Sequence, residues 1–209
     1  MKISVIGAAG ATGVEIVRQA LDLGHEVVAL VRDPAKLALT HPKLTVVEGD
    51  ARGASSIDQA VNGVDVVVSA LGNFVRKPNT ELSDATQQII TAMKRRGVKR
   101  FICVTSLGQG ATRAKIKSKL FLLFLTLVAA EIWKDKERQE ELVRRSGLDW
   151  IIVRPGGLTR KPAKRAYKIF AEADDLPKKL AIARADVADF ILKNLTENTY
   201  IGQAVGLSD

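Results

Sequence analysis

A chain of 209 residues in which nearly half are apolar can bury one well-packed core, and no Pro/Gly/Ser-rich linker divides it. The formal charge of +9 comes from basic residues that are scattered along the sequence, without interleaved aromatic residues or a helix-turn-helix pattern, so nucleic-acid binding is not expected. The single cysteine excludes an internal disulfide, and an apolar strand begins at Lys2 without a signal peptide before it. Together these two features indicate a cytoplasmic protein.

Strand-like and helix-like segments alternate along the chain. Apolar runs predict strands, in chain order, at Lys2–Ile6, Glu26–Val31, Leu44–Val47, Val64–Ala70, Arg100–Thr105, Trp150–Val153 and Gln203–Gly206. Apolar positions at helical spacing predict helices at Thr12–Leu23, Ser56–Val61, Glu81–Arg96 and Arg184–Asn194, and one long helix within Lys115–Ser146. Strands that alternate with helices imply right-handed crossovers and a parallel sheet. The sequence therefore predicts an α/β fold, a Rossmann-type doubly wound parallel sheet with helices on both faces, as a single domain over residues 1–209.

A glycine-rich turn separates the first strand from the first helix. A strand, a tight turn and a helix N-terminus together form a pyrophosphate site, because free backbone N–H groups and the helix dipole face the anion. Gly7 permits the turn, Gly10 lets the backbone approach the phosphates, and Gly13 lets the helix pack close to the strand. We therefore expect a dinucleotide to bind at Gly7, Ala9, Gly10, Ala11, Thr12 and Gly13.

The end of the second strand bears on which dinucleotide binds. An acidic residue at this position usually holds the ribose 2′-hydroxyl of NAD, whereas an arginine accommodates the 2′-phosphate of NADP. Here Arg32 comes first, and Asp33 follows where it can cap a helix that starts at Pro34. NADP(H) is favoured over NAD(H), although an exposed surface arginine is the alternative interpretation of Arg32.

The run Leu120–Ala130 is strongly apolar, and Lys115, Lys117 and Lys119 lie just before it. It is shorter than the roughly 20 residues that a transmembrane helix needs, so no transmembrane segment is predicted. Three interpretations are open. The run is a helix buried by its neighbours or by a second subunit of a homo-oligomer, the apolar wall of a substrate pocket, or a peripheral contact with a membrane surface.

Few residues offer metal or nucleophile chemistry. His25 and His41 have neither metal-ligand spacing nor an obvious partner, so no metal site is expected. Cys103 lies in the apolar run Phe101–Val104, and we expect a buried thiol rather than a nucleophile.

Several motifs along the chain match one protein family. They are Gly7-x-x-Gly10-x-x-Gly13, Val31-Arg32-Asp33-Pro34, Gly49-Asp50, Ser69-Ala70-Leu71-Gly72, Val104-Thr105-Ser106, Ser146–Gly156 and Ile182–Ala188. With these motifs the chain resembles the atypical short-chain dehydrogenase/reductases, and within them the NmrA-like NAD(P)H-binding group that includes the biliverdin-IXβ/flavin reductases. The resemblance covers nearly the whole chain and implies a Rossmann-type fold with a bound nicotinamide cofactor.

The resemblance also implies roles for individual residues on the adenine side of the cofactor. The glycine turn would hold the pyrophosphate and Arg32 the 2′-phosphate. The adenine would lie by Asp50 and Ala51. The adjoining ribose would be lined by Ala70, Leu71 and Gly72.

On the nicotinamide side, the resemblance implies two catalytic positions. Ser106, after Thr105, takes the position of the family's active-site serine, and Lys136 that of the lysine that holds the nicotinamide ribose. Cofactor contacts are implied for Thr105, Ser106, Lys136, Pro155, Gly156 and Gly157. Two alternatives stay open, with Ser106 as a strand-end hydrogen-bonding residue and Lys136 as a surface lysine.

The chain departs from the family pattern at one position. Four residues before Lys136, where the catalytic pair has a tyrosine that donates a proton, stands Ile132, and Tyr167 and Tyr200 are distant in sequence. Carbonyl reduction, which needs a proton delivered with the hydride, is therefore not favoured. Acceptors that take their proton from solvent fit better, namely flavins, quinones and linear tetrapyrroles.

The leading functional hypothesis is an NADPH-dependent oxidoreductase that passes hydride to such a planar, hydrophobic small molecule. Residues from about 106 to 209 would supply its substrate side, with Phe74 and Trp133 in the pocket wall. The alternative is a non-catalytic NADP(H)-binding sensor or assembly factor that presents the Leu120–Ala130 segment to a partner or membrane. Isomerase or dehydratase chemistry is less favoured, because it needs the same tyrosine.

Overall fold

The computed structural model describes residues 1–72, 80–109, 130–172, 174–177 and 179–209. Its strands are β1 (Lys2–Ile6), β2 (Glu26–Val31), β3 (Leu44–Glu48), β4 (Val66–Ser69), β5 (Arg100–Val104), β6 (Asp149–Pro155), β7 (Gly157–Thr159), β8 (Lys168–Ala171), β9 (Ala181–Ala183) and β10 (Gln203–Ser208). The helices are α1 (Ala11–Asp22), α2 (Ala54–Ala60), α3 (Glu81–Arg96), α4 (Ala130–Arg144) and α5 (Arg184–Lys193), and a short 3-10 turn spans Pro34–Lys36.

Eight of these strands form one sheet in the order β3-β2-β1-β4-β5-β6-β10-β8. All neighbouring pairs are parallel except β10 and β8, which run antiparallel. The two remaining strands, β7 and β9, form a separate parallel pair. The predicted doubly wound sheet is therefore confirmed, with an antiparallel strand added at one edge.

Two hydrophobic cores cover the two faces of this sheet. On one face, the residues of α1 and α5 pack on side chains such as Val5 and Ile102. On the other face, α2 and α3 pack on the alternate positions, such as Ile6 and Phe101. Since successive side chains of a strand point to opposite faces, buried strands such as β1 feed both cores, which explains why they are apolar at nearly every position.

The three strands that sequence patterns did not predict are short. β7 and β9 have three residues each and β8 has four, too few for an alternating or continuous apolar pattern to stand out. Each is paired with a segment distant along the chain, so tertiary pairing rather than local propensity defines it.

The long helix predicted within Lys115–Ser146 is present as α4 from Ala130 onward. Residues 110–129 lie outside the described residues, and with them all of the apolar run Leu120–Ala130 except Ala130. The interpretations of that run therefore stay predictions. In the described part of the chain, no helix is both long and apolar enough to cross a membrane.

Helix α4 is unusual because its buried face is mainly polar. That face consists of Asp135, Lys136, Gln139, Glu140 and Val143. Asp135 and Gln139 bind α3, because the Asp135 carboxylate accepts hydrogen bonds from Leu82 N (2.9 Å), Ser83 N (3.2 Å) and Ser83 Oγ (2.6 Å), while Gln139 Nε2 donates to Thr86 Oγ1 (3.1 Å). Thr80, at the start of α3, makes no side-chain cap. Asp135 therefore caps α3 from a neighbouring helix.

We expect Asp135→Asn to lower the free energy of unfolding by about 1–3 kcal/mol, since the amide loses the charge and one of the two acceptor oxygens that satisfy the α3 N–H groups. Urea unfolding followed by circular dichroism measures this loss. Asp22→Asn is the matched control, because the Asp22 side chain is 65% exposed and, within the described part of the chain, pairs only with Arg18 on its own helix. Equal stabilities of the two variants would contradict the capping role.

Candidate functional site

An open cavity of about 810 Å³ lies at the carboxyl ends of β1 to β4. Its lining residues follow directly on these strands, beginning with Gly7 after β1, Arg32 after β2, Gly49 after β3 and Ala70 after β4. The start of α3 closes one side with Glu81, Leu82 and Ala85. The cavity coincides with the reversal of strand order between β1 and β4, which is where ligands bind in open α/β sheets.

The glycine turn forms one wall of this cavity. Gly7 has a φ of +85°, which favours glycine, and its carbonyl accepts the Gly10 N–H at 3.0 Å. A Cβ atom at Gly13 would lie 2.2 Å from Gly7 O, so only glycine lets α1 approach the turn this closely. No side chain caps α1 at Gly10. The leading N–H groups of the helix can therefore bind an anion.

Charged side chains surround the other end of the cavity. Asp33 accepts the Ala35 N–H at 3.1 Å and pairs with Lys36 at 3.5 Å, so it caps the 3-10 turn. Asp50 accepts Arg52 Nε and Nη2 at 2.9 and 3.0 Å. These hydrogen bonds lower the pKa of the Asp50 carboxyl to about 2.

Arg32 is left with an available guanidinium. It is exposed at the cavity, and among the described residues it makes no hydrogen bond or ion pair. Arg52 lines the same cavity, but Asp50 holds its guanidinium, and Glu81 lies 3.6 Å away. Arg32 is thus the arginine of this cavity that is best placed to bind a further anion.

A second group of candidate residues lies at the neighbouring carboxyl ends of β5 and β6. Ser106, two residues after β5, has a buried Oγ with no hydrogen-bond partner among the described residues. Lys136 on α4 is buried, and burial lowers the pKa of its ammonium group. The coulombic interactions of Cys103, Glu140 and Asp135 oppose this shift. Lys136 is therefore not the surface lysine that one interpretation of the sequence proposed.

Cys103 lies below this group as a free, buried thiol, as its apolar surroundings in the sequence predict. Burial raises its pKa to about 12. The thiolate is therefore scarce at neutral pH, and the residue is unsuited to nucleophilic catalysis.

Backbone hydrogen bonds hold the loops that follow β5 and β6. Pro155 O accepts the Leu107 N–H at 2.9 Å, Gly156 N donates to Leu207 O at 3.0 Å, and Gly157 N donates to Leu180 O at 2.5 Å. Trp133 Nε1 donates to Gly108 O at 3.0 Å, which places the indole beside the loop that follows β5.

The predicted site residues thus fall into two groups. The cavity is lined by Gly7, Ala9, Gly10, Arg32, Asp50, Ala51, Ala70, Leu71 and Gly72. The first turn of α1 contains Ala11, Thr12 and Gly13. The ends of β5 and β6 and helix α4 carry Thr105, Ser106, Trp133, Lys136, Pro155, Gly156 and Gly157. Phe74 lies outside the described residues.

Sequence patterns did not identify an ion pair behind the second group. Glu140 and Arg154 are both buried, and the Glu140 carboxylate accepts Arg154 Nε at 3.0 Å and Nη2 at 2.5 Å. Thr105 Oγ1 donates to the same carboxylate at 2.7 Å. One feature of the sequence could have indicated this ion pair. Polar residues form a stripe on α4 at the positions where a helix that covers a sheet normally has apolar residues.

Three curated relatives show what the chain is similar to. An uncharacterized chloroplastic protein of Arabidopsis thaliana is 29% identical over 94% of this chain and 72% of its own length. Protein TIC 62, chloroplastic, of the same plant is 31% identical over 76% of this chain and 27% of its own length. The Photosystem II assembly factor Ycf39 of Synechocystis sp. is 28% identical over 75% of this chain and 45% of its own length. The chain thus spans less than half of the latter two proteins.

Solved structures have the same fold. A short-chain dehydrogenase/reductase from Veillonella parvula in complex with NADP superposes with a TM-score of 0.82 at 20% identity, covering 100% of this chain and 94% of that one. ChuY, an anaerobillin reductase from Escherichia coli O157:H7, superposes with a TM-score of 0.80 at 24% identity, covering 99% of this chain and 96% of that one. At these identities the likeness shows the Rossmann fold.

The family itself is shown by a sequence model described as NAD(P)H-binding, which matches residues 7–198. This range runs from the glycine turn, through both groups of candidate residues, to the segment before β10. The chain belongs to this NAD(P)H-binding family, the NmrA-like group whose motifs its sequence resembles.

Proposed function

We propose that the protein is an NADPH-dependent oxidoreductase that passes hydride to a planar, hydrophobic acceptor such as a flavin, a quinone or a linear tetrapyrrole. The observation that carries the proposal is the location of two buried groups at β5, the strand next to the cavity-lining β4. Ser106 Oγ follows β5 and has no hydrogen-bond partner among the described residues, and Lys136 on α4 interacts electrostatically with Cys103 on the same strand. A buried hydroxyl without a partner has a cost in free energy that a ligand removes by binding it.

The residues present fit a bound dinucleotide. We assign the pyrophosphate to the glycine turn and the uncapped start of α1, and the 2′-phosphate to Arg32. Asp33 is engaged as a cap, which weakens its case as a ribose ligand that would select NAD. The NADP complex of the Veillonella parvula enzyme, which has the same fold, supports this choice.

We assign the nicotinamide half to the ends of β5 and β6. When bound there, the cofactor supplies a hydride to the acceptor. Lys136 would donate hydrogen bonds to the nicotinamide ribose, and Ser106 Oγ would orient the carboxamide or the acceptor. Rate enhancement in such a site comes mainly from holding the two flat rings in contact.

The second hydrogen of the reduced acceptor arrives as a proton, and we assign its source to water. Ile132 stands one helical turn before Lys136, where the family has its tyrosine. Both tyrosines of the chain lie beside α5, where Tyr167 donates to Asp189 at 2.8 Å and Tyr200 packs on Phe190. Burial, reinforced by Asp189, raises the pKa of Tyr167, which makes it a poor acid.

A non-catalytic NADP(H)-binding assembly factor is the second candidate function. Two observations favour it, namely Ile132 at the tyrosine position and the similarity to Ycf39, which is described as a Photosystem II assembly factor. In this case the protein binds the cofactor and presents another surface to a partner. We further propose that the protein is cytoplasmic and forms a homo-oligomer.

Oxidation of NADPH, followed by its absorbance with a panel of flavins, quinones and linear tetrapyrroles, separates the two candidates. We expect turnover with a planar acceptor and a decrease of about 10-fold to 100-fold in kcat for Ser106→Ala, with NADPH affinity nearly unchanged. Ser55→Ala, an exposed change on α2, should behave like the wild type. Tight NADPH binding without turnover across the panel would favour the assembly factor.

Arg32→Ala tests the cofactor assignment. We expect the variant to bind NADPH about 10-fold to 100-fold more weakly, because it lacks the charge-assisted hydrogen bonds to the 2′-phosphate, and to bind NADH as the wild type does. Fluorescence titration with both cofactors measures the difference. Arg18→Ala is the control, since Arg18 pairs with Glu15 and Asp22 on α1 and does not line the cavity. Equal wild-type affinities for NADPH and NADH would overturn the assignment.

A further inference from the structure

The Glu140 carboxylate joins three elements of the fold at one buried point. It belongs to α4, it accepts Thr105 Oγ1 at 2.7 Å from the end of β5, and it accepts two nitrogens of Arg154 on β6. Exposure is only 4% for Glu140 and 1% for Arg154. Both carboxylate oxygens are therefore used, in fixed directions, away from water.

Each of these elements carries a residue assigned above to the nicotinamide half. Lys136 precedes Glu140 by one helical turn on the same buried face of α4. Ser106 follows Thr105 directly, and Gly156 comes two residues after Arg154. A displacement of α4 relative to either strand would therefore separate residues that have to contact one ligand.

We propose that Glu140 is a positioning residue that locks α4 onto the ends of β5 and β6 and so aligns the nicotinamide half of the site. This inference rests on the proposed function, because it needs a cofactor that extends from the cavity to these strand ends. Glu140 acts through Thr105, Arg154 and Lys136 and does not itself touch the cofactor.

Stability alone gives a weak reason for this ion pair. Removing two charges from water costs about as much free energy as their attraction returns, and apolar residues of similar size often stabilise a core equally well. A bidentate arginine–carboxylate pair instead fixes the relative orientation of its two side chains. Arg154 is further oriented by Glu172 at 3.0 Å, and Glu172 also pairs with Arg144 at 3.1 Å. The guanidinium is thus held from two sides.

Glu140 also supports the charge of Lys136. Among the described residues, the groups that act on this ammonium are Cys103 on β5 and Asp135 and Glu140 on its own helix. Since the Cys103 thiol has a pKa of about 12, it is protonated at neutral pH, and the two carboxylates remain to oppose the effect of burial. Without Glu140, the pKa of Lys136 falls and the ammonium loses its proton at a lower pH.

Two ligands distinguish a role of Glu140 in positioning the nicotinamide half from a general role in holding the whole binding site together. NADPH occupies both halves of the proposed site, whereas adenosine 2′,5′-bisphosphate occupies only the adenine half. We expect Glu140→Gln to weaken NADPH binding about tenfold and to change the affinity for the bisphosphate less than about twofold. In a pH series, the variant should lose NADPH affinity at a lower pH than the wild type, with no such shift for the bisphosphate.

The matched control is Glu141→Gln on the same helix, where an exposed glutamate pairs with Arg145 at 2.5 Å. Because Glu140→Gln leaves Arg154 with less charge compensation and can lower stability, Arg154→Lys provides a second variant that keeps the opposite charges and loses the two-nitrogen geometry. It should weaken NADPH binding by at least about threefold, with bisphosphate affinity and the circular-dichroism spectrum unchanged.

Equal weakening of both ligands, or of neither, in a folded variant would overturn the positioning role alone. A wild-type protein that binds neither ligand would instead contradict the proposed function. The two failures are therefore distinguishable in one set of titrations.

Discussion

The reversal of strand order between β1 and β4 determines where the residues that line the cavity lie. The chain leaves β1 towards β2 and β3 on one side and returns to β4 on the other, so the two crossovers diverge at the carboxyl ends of the strands. The glycine turn falls in the crevice between them. Because Gly13 lets α1 approach Gly7 O, the helix begins at the crevice with its N–H groups facing it. Fold and site are consequences of the same topology.

Helix α4 connects the elements that carry the two groups of candidate residues through its polar buried face. Asp135 holds the first N–H groups of α3, and the start of α3 lines the cavity at Leu82 and Ala85. On the same face, Glu140 binds Thr105 after β5 and Arg154 on β6, and Lys136 interacts electrostatically with Cys103 on β5. A helix with an apolar stripe would also pack on the sheet, but apolar contacts would not fix its orientation relative to α3 and to the strand ends as these hydrogen bonds do. The residues that hold α4 in place therefore also fix the relative positions of the elements that carry the candidate site residues.

The sequence predicted the parts of the molecule that follow from periodicity and from short-range motifs. Buried strands such as β1 and the turn after it were identified because their patterns lie within ten residues of chain. β8 was not identified, since it is a four-residue edge strand that pairs with β10 far along the chain. Glu140 and Arg154 were not identified because a charged residue in a helical or strand pattern is usually solvated, and only tertiary packing shows that these two meet.

The loss of the tyrosine and the retention of Lys136 can be understood together. A lysine that supports a tyrosine lowers the pKa of its hydroxyl, and with Ile132 in that place this task disappears. In the proposed function the buried ammonium binds the cofactor instead, which requires correct position more than acid strength. Ile132 and Trp133, both half-buried, provide apolar surface one turn before Lys136, and the Trp133 indole is fixed by Gly108 O. Replacing a proton donor by apolar surface suits an acceptor that is flat, hydrophobic and protonated by water, which is the class that the proposed function assigns.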